Sequence, residues 1–172
     1  LPLYNGVEAL EIGVPARAAF AGLAPRARPI VFYGTSITHG ACASRPGMAH
    51  VAILGRRLDR PVANLGFSGN GKMDTAVGDL LARPSTPIVL VEDRRVTNEW
   101  ILPATRAGHD ARHAALREAF ARLQHDGIGG LFYLSGDGLL GDDAEATVDA
   151  SHPNDLGFVR QADAFEPVLR QA

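Results

Sequence analysis

Short runs of apolar, often β-branched residues alternate along this chain with stretches of helical periodicity, and this alternation is the feature that most restricts its fold. The runs are Pro29–Tyr33, Val62–Leu65, Pro87–Val91 and Leu131–Leu134. The helical stretches are residues 48–58, 73–81, 111–124 and 154–169. A strand that is apolar throughout is typical of a parallel sheet buried on both faces. The pattern therefore predicts an α/β domain, a three-layer sandwich with helices on both sides of a central parallel sheet.

The composition excludes several classes of function. A chain of 172 residues with 46% hydrophobic and 21% charged residues is typical of one soluble globular domain. The formal net charge of -2 provides no basic excess for nucleic acid or an anionic membrane. The single cysteine, Cys42, has no second cysteine with which to form an intramolecular disulfide, so it does not indicate a compartment. We expect a soluble protein with neither nucleic-acid nor membrane partners; oligomeric state and compartment do not follow from the sequence.

A serine follows the first strong strand, in the segment Gly34–Gly40. Ligands of open α/β sheets bind beyond the carboxyl ends of the strands, so the hydroxyl of Ser36 is expected to face the cleft. Its own N–H, at the start of the next helix, is a candidate donor to an oxyanion. The alternative is that Ser36 is a turn residue or helix N-cap, which is common at such junctions.

Asp149 and His152 provide the groups that a serine nucleophile needs. A hydroxyl requires a base within hydrogen-bond reach, and that base requires a partner that fixes its tautomer. The spacing of three residues allows carboxylate and imidazole to meet when the backbone curls as in a helical turn. A surface turn with a capping aspartate is the alternative. The glycine-dense turn Gly66–Gly71 supplies a further candidate oxyanion donor, the N–H of Gly69, although ordinary glycine turns look the same.

These three blocks, in this order, resemble those of the SGNH (GDSL-like) hydrolases. Gly34–Ile37 resembles their nucleophile block, Asn64–Asn70 their glycine block and Asp149–His152 their terminal Asp-x-x-His block. The continuation His152–Phe158 resembles a bacterial branch of the family. The resemblance implies a flavodoxin-like sheet and an esterase that uses no metal or cofactor. It also implies catalytic roles for Ser36, Asp149 and His152, with the N–H groups of Ser36 and Gly69 in the oxyanion hole.

The resemblance also implies a division of the chain and a substrate. Residues 1–25 are predicted to form an opening strand and connector, as the tail of an upstream β-rich domain, and residues 26–172 the hydrolase domain. The expected substrate is a small ester, an acetyl group on a carbohydrate or similar alcohol. The alternative is a catalytically impaired carbohydrate-binding or interaction module with the same fold. A phosphate-binding α/β domain is a weaker alternative, because the chain lacks a Walker A lysine and a dinucleotide fingerprint.

One block of the family is not found. Its asparagine, the third oxyanion donor, normally follows a strand between the glycine block and the later strands, whereas here residues 73–82 lead directly to residues 83–87. Either the chain has lost a strand and a helix or a segment has been omitted from the sequence, and we favour the second. Asn70 and Asn98 are the substitutes considered for the missing donor.

Other residues are predicted to have structural roles. His109 and His113 have the spacing of two zinc ligands, but no third ligand is evident, so a solvated helix face is expected and no metal site. Glu92 and Asp93 end a strand and are expected to form ion pairs with nearby arginines. Trp100 is predicted to form an apolar wall of the pocket or to lie in the core.

Overall fold

The structure is a computed structural model that describes residues 2–22, 24, 28–81 and 86–172. Its strands are β1 (Ile30–Gly34), β2 (Val62–Gly66), β3 (Ile88–Val91) and β4 (Leu131–Leu134). Its α-helices are α1 (Ser36–His39), α2 (His50–Arg57), α3 (Thr75–Leu81), α4 (Pro103–His125) and α5 (Asp155–Gln171). The predicted alternation of strands and helices is confirmed, and the four strands lie within about a residue of their predicted bounds.

The four strands form two parallel pairs. β1 pairs with β2 from Ile30 opposite Val62 to Gly34 opposite Gly66. β3 pairs with β4 from Ile88 opposite Leu131 to Val91 opposite Leu134. Among the described residues no hydrogen-bonded ladder joins the two pairs. All four strands are parallel to their partners, so in each pair the segments that follow the strands leave at the same edge.

The buried core lies on the β1–β2 side. It consists of Phe32 from β1, Val51, Ile53 and Leu54 from α2, and Phe158 and Ala162 from α5. Among the residues of the four strands only Phe32 is buried, and the others are partly or largely exposed. Helices α4 and α5 contact β4, but the β3–β4 residues remain partly exposed.

Helix α5 begins with a side-chain cap. The Asn154 side chain accepts a hydrogen bond of 3.1 Å from the N–H of Gly157, which satisfies one of the free donors of the first turn. In the first turn of this helix Leu156 is exposed, whereas Phe158 is fully buried. The core lies toward Phe158 because that ring contacts α2 residues, a tertiary preference that helical periodicity alone does not resolve.

No strand forms in residues 2–22, the described part of the segment predicted to be an opening strand and connector. Apart from a few bends and one turn, these residues have no regular secondary structure. Near its start this segment contacts α1, where the ring of Tyr4 stacks on that of His39 with centroids 3.9 Å apart. The predicted division between residues 25 and 26 lies outside the described residues. Within the described chain, no helix has the length and apolar character that a membrane crossing requires.

Candidate active site

Ser36 is the first residue of α1, directly beyond the end of β1. Its predecessor Thr35 has an extended backbone and makes no side-chain cap, so the first N–H groups of the helix remain available. The short helix ends at Gly40, whose φ of 103° lies in the left-handed region that glycine adopts without strain. The half-buried hydroxyl of Ser36 thus lies beside a free N–H of its own residue.

His152 and Asp149 lie in line with this hydroxyl. The Ser36 Oγ is 2.9 Å from His152 Nε2, and His152 Nδ1 is 2.7 Å from Asp149 Oδ2. With the proton on Nδ1, the imidazole donates to the carboxylate and Nε2 accepts from the serine hydroxyl. The structure therefore brings together the three side chains that the sequence predicts, across 116 residues of chain. Acyl transfer by a serine requires a nucleophile, a base and an orienting carboxylate arranged in such a line.

Asp149 organises its own turn. Its Oδ1 accepts the N–H of His152 at 2.6 Å and that of Ser151 at 3.0 Å. These backbone bonds and the bond from the imidazole lower the pKa of Asp149 to about 2. The carboxylate is therefore ionised at neutral pH, as a group that orients and stabilises an imidazolium must be.

Glycines place the next turn close against β1 and α1, the two elements that meet beside Ser36. A β-carbon at Gly66 would overlap the backbone of His39, and one at Gly71 would overlap the carbonyl of Gly34. Between them lies a 3-10 turn of Ser68–Asn70, whose first hydrogen bond runs from Asn70 N–H to the carbonyl of Phe67. The N–H of Gly69 precedes this bond, so the turn itself offers it no acceptor. Two backbone donors, of Ser36 and Gly69, are thus available on adjacent turns.

The prediction of a solvated face for His109 and His113 is wrong. Both are buried, with relative exposures of 2% and 1%, because this face of α4 lies against the segment that follows β3. His109 Nδ1 is 2.8 Å from Glu99, and His113 Nε2 donates to the carbonyl of Asp93 at 2.6 Å. In the described part of the chain no group of three or more metal-ligating side chains converges.

Asp93 forms the expected ion pair with a neighbouring arginine, whereas the arginine that pairs with Glu92 is the distant Arg117 of α4, at 3.4 Å. Asp93 pairs with Arg94. The buried carboxylate of Glu92 accepts from Tyr133 at 2.6 Å and from the N–H of Gly136 at 2.8 Å, with His113 at 3.3 Å. Burial opposes the charge, but these donors outweigh it and the pKa of Glu92 is lowered. The cluster ties β3, β4 and α4 together, which is a structural role.

Trp100 is exposed rather than in the core, with 76% of its surface accessible. It lines a cavity of about 240 Å³ together with Arg95, Val96, Thr97, Gly141, Asp142 and Ala144. Thr97 N–H donates to the carbonyl of Ala150 at 2.9 Å, so this cavity adjoins the turn that carries His152. The predicted apolar wall is thus an aromatic face beside polar groups.

Sequence reasoning missed the contacts that hold this turn from outside. Besides its ion pair with Asp93, the guanidinium of Arg94 donates to the carbonyl and hydroxyl of Ser151. These contacts join residues 57 positions apart and involve a backbone acceptor, so no local motif marks them.

The sequence matches the GDSL-like Lipase/Acylhydrolase family over residues 27–83 and 81–170. No curated protein sequence matches the chain. The match changes segment at residues 81–83, near the point where the expected asparagine block is not found and between the two strand pairs.

Three solved structures are similar to this chain. A protein described as a GDSL-like lipase from Bacteroides ovatus ATCC 8483 is 32% identical, with a TM-score of 0.81 over 87% of this chain and 55% of that one. Salicylyl-acyltransferase SsfX3 from a tetracycline biosynthetic pathway is 16% identical, with a TM-score of 0.61 over 85% of this chain and 55% of that one. A family two carbohydrate esterase from Clostridium thermocellum, solved with cellohexaose, is 16% identical, with a TM-score of 0.57 over 88% of this chain and 66% of that one.

The last two likenesses concern the fold alone, and together the three confirm the predicted SGNH-type α/β fold. The chain spans between about half and two thirds of the length of these proteins.

Proposed function

This chain belongs to the GDSL-like lipase/acylhydrolase family, and from this premise we propose that it hydrolyses small acyl esters through an acyl-enzyme on Ser36. The observation that carries the proposal is the line of hydrogen bonds from Ser36 Oγ to His152 Nε2, 2.9 Å, and from His152 Nδ1 to Asp149, 2.7 Å. Nucleophile, base and orienting carboxylate are each within bonding distance without rearrangement.

These distances support the following reaction. The Ser36 Oγ attacks the ester carbonyl carbon as its proton passes to His152 Nε2, and the carbonyl oxygen becomes an oxyanion that accepts from the N–H groups of Ser36 and Gly69. When this tetrahedral intermediate collapses, the bond between the carbonyl carbon and the alcohol oxygen breaks, and the alcohol leaves with the proton from His152. Water then attacks the acyl-enzyme by the same steps and releases the carboxylic acid. The ionised Asp149 stabilises the imidazolium in both halves.

We propose an acetylated carbohydrate or a similar polyol as the substrate. The support is the cavity beside the His152 turn, where the exposed Trp100 lies next to Thr97 and Asp142. An aromatic face flanked by hydroxyl and carboxylate groups suits a sugar ring, which has apolar C–H faces and a polar edge. The acyl group itself is proposed to be acetyl, by analogy with the branch that the terminal block resembles.

A fluorophosphonate probe tests the mechanism, because it phosphonylates only a serine activated by its own base. We expect an adduct on Ser36 in the folded protein, and turnover of p-nitrophenyl acetate that Ser36→Ala abolishes. Ser44→Ala is the matched control, since Ser44 lies in the segment that follows α1 but bonds to Asp155 instead of a histidine. A folded protein that acquires no adduct on Ser36 would contradict the proposal.

The family's asparagine block is not found, and this observation favours a second candidate function, a carbohydrate-binding or interaction module without turnover. Loss of one oxyanion donor typically costs about 3–4 kcal/mol of transition-state stabilisation. A binding module would retain its affinity for oligosaccharides in Ser36→Ala and show no p-nitrophenyl acetate turnover in the native chain. Calorimetric titration of both proteins with acetylated and deacetylated xylooligosaccharides separates the two functions.

A further inference from the structure

The turn that carries the base has an unfavourable backbone conformation. Ala150 has a φ of 67°, in the left-handed region where a residue with a β-carbon is strained. The three hydrogen bonds accepted by Asp149 all come from residues of the same turn. They give the turn its shape, but they do not fix its position relative to Ser36.

The segment after β3 supplies the external contacts. The Arg94 Nε donates to the carbonyl of Ser151 at 3.1 Å, and its Nη2 donates to the Ser151 hydroxyl. The N–H of Thr97 donates to the carbonyl of Ala150 at 2.9 Å. The Arg94 side chain is only 13% exposed, and its third contact is the Asp93 carboxylate. A guanidinium is planar and presents several donors in fixed directions, so it holds two acceptors in one orientation.

The peptide unit between Ser151 and His152 is hydrogen-bonded at both its carbonyl and its N–H. The carbonyl of Ser151 and the N–H of His152 belong to the same planar peptide. The carbonyl accepts from Arg94, and the N–H donates to Asp149 at 2.6 Å. The orientation of that plane determines where the imidazole of His152 projects.

We propose that Arg94 is a positioning residue that holds the His152 peptide, and through it the imidazole, against Ser36. The inference rests on the proposed function for its kinetic consequence. Arg94 acts through Ser151, so its loss affects the chemical step more than substrate binding. A displacement of about 1 Å at a reacting group can cost on the order of 10²-fold in rate.

The kinetic test compares Arg94→Ala with Arg112→Ala. Arg112 is a matched control because it also approaches the Asp93 carboxylate, at 3.5 Å, but its exposed side chain lies on α4, away from the turn. For Arg94→Ala we expect kcat for p-nitrophenyl acetate, and the rate of fluorophosphonate labelling, to fall on the order of 10²-fold with little change in KM. Arg112→Ala should stay near wild type.

Two further variants separate positioning from general loss of structure. Methylguanidinium added to Arg94→Ala should restore part of kcat, because it can occupy the vacated site and bind the same acceptors. Arg94→Lys should recover less, since one ammonium does not reproduce the two directed bonds. Urea unfolding of each variant shows how much protein is folded under assay conditions.

Amide hydrogen exchange tests, without reference to activity, whether Arg94 holds the His152 peptide. In Arg94→Ala the N–H of His152 should exchange at least about tenfold faster than in the native chain, while the amides of α2 stay unchanged. Unchanged exchange, an unchanged kcat, or an equal loss in Arg112→Ala would overturn the assignment. Suppose that the His152 N–H exchanges faster in Arg94→Ala but the native chain is never labelled at Ser36. That result would refute the proposed function and still support the positioning role of Arg94.

Discussion

The carboxylate of Asp149 shapes a turn and accepts a hydrogen bond from the imidazole of His152, and its pKa reflects both contacts. Hydrogen bonds from the His152 N–H, its imidazole and the Ser151 N–H lower that pKa from 3.8 to about 2. A lowered pKa means that the bonds stabilise the folded state above the unfolded value, and that this contribution is lost as the pH falls from about 4 through about 2. Between pH 4 and 8 the carboxylate therefore stays charged.

Replacing this carboxylate by an amide should remove the charge while keeping the shape. In Asp149→Asn the side chain no longer requires a proton on His152 Nδ1, so the wrong tautomer becomes available and the imidazolium loses its counter-charge. We expect kcat for p-nitrophenyl acetate to fall about 10³–10⁴-fold, with KM changed far less. Asp126→Asn, which alters an exposed carboxylate at the end of α4 that does not line the cavity, should leave kcat near wild type. A decrease of less than tenfold in Asp149→Asn would contradict the orienting role.

Trp100 should distinguish sugar esters from simple ones. Removing its exposed ring in Trp100→Ala should raise KM for an acetylated xylooligosaccharide about tenfold, on the scale of an aromatic contact worth 0.5–1.5 kcal/mol beyond its area. The KM for p-nitrophenyl acetate should barely change, because that substrate has no sugar to contact the ring. Ile101→Ala removes an adjacent exposed apolar side chain that does not line the cavity, and serves as the control. Equal changes for both substrates would place the ring outside the sugar site.

Single residues differ in how far the sequence indicates their roles. The proximity of Ser36, Asp149 and His152 was predictable because each lies in a short block at a strand end or a tight turn, where local chemistry restricts the choice. The burial of His109 and His113 was not, because it depends on which segment packs against that face of α4. The positioning role proposed for Arg94 was not predictable, since it depends on a hydrogen bond to the backbone carbonyl of Ser151, which is far away in the chain.

At the scale of elements, the contact between α2 and α5 buries a titratable ring. His50, on α2, is 3% exposed, and its ring lies 5.8 Å from that of Phe158 and 5.3 Å from that of Phe165 on α5. Burial among these rings lowers the pKa of His50 to about 4, since the charged form would lose its hydration. The folded state thus binds this proton less readily than the unfolded chain.

This contact should make stability depend on pH. Between pH 6.5 and about 4 the unfolded chain is protonated at this position and the folded chain is not, so the free energy of unfolding should fall as the pH is lowered. From pH 7 to pH 5 the expected loss is about 2 kcal/mol, measured by urea unfolding. His50→Leu should remove most of this dependence, whereas His125→Gln, at an exposed position of α4, should retain it. If the free energy of unfolding depends on pH equally in His50→Leu and His125→Gln, the assignment to His50 is contradicted.

Helix bounds were less predictable than strand bounds, and α4 shows the reason. The apolar periodicity predicts a helix over residues 111–124, whereas α4 begins at Pro103. Its first two turns have no apolar stripe, so periodicity does not indicate them. Proline at the first helical position is favourable, because its fixed φ suits the helix and its missing N–H would have no acceptor there.

At the scale of the whole molecule, the strand pairs fit the two ends of a known order. A flavodoxin-like sheet has the order 2-1-3-4-5. The pairs β2–β1 and β3–β4 correspond to its first two and last two positions, and in the described chain no strand occupies the middle. The family match changes segment at residues 81–83, between the same pairs. The sequence predicted the strands, but their division into pairs is a non-local property that strand patterns do not encode.

Filling the middle position should therefore stabilise the molecule. Parallel strands are ordinarily buried on both faces, yet Val31 is 45% exposed and all residues of β3 are only partly buried. We predict that a designed strand and crossover helix of about 30 residues, inserted between Leu81 and Ile88, joins the two pairs into one sheet. The free energy of unfolding in urea should rise by at least about 2 kcal/mol, the scale of burying one Val or Leu side chain. A Gly-Ser insertion of the same length supplies no strand and should give no such gain, because lengthening a loop only adds closure entropy. Equal stability of the two insertions would show that the pairs are not halves of one interrupted sheet.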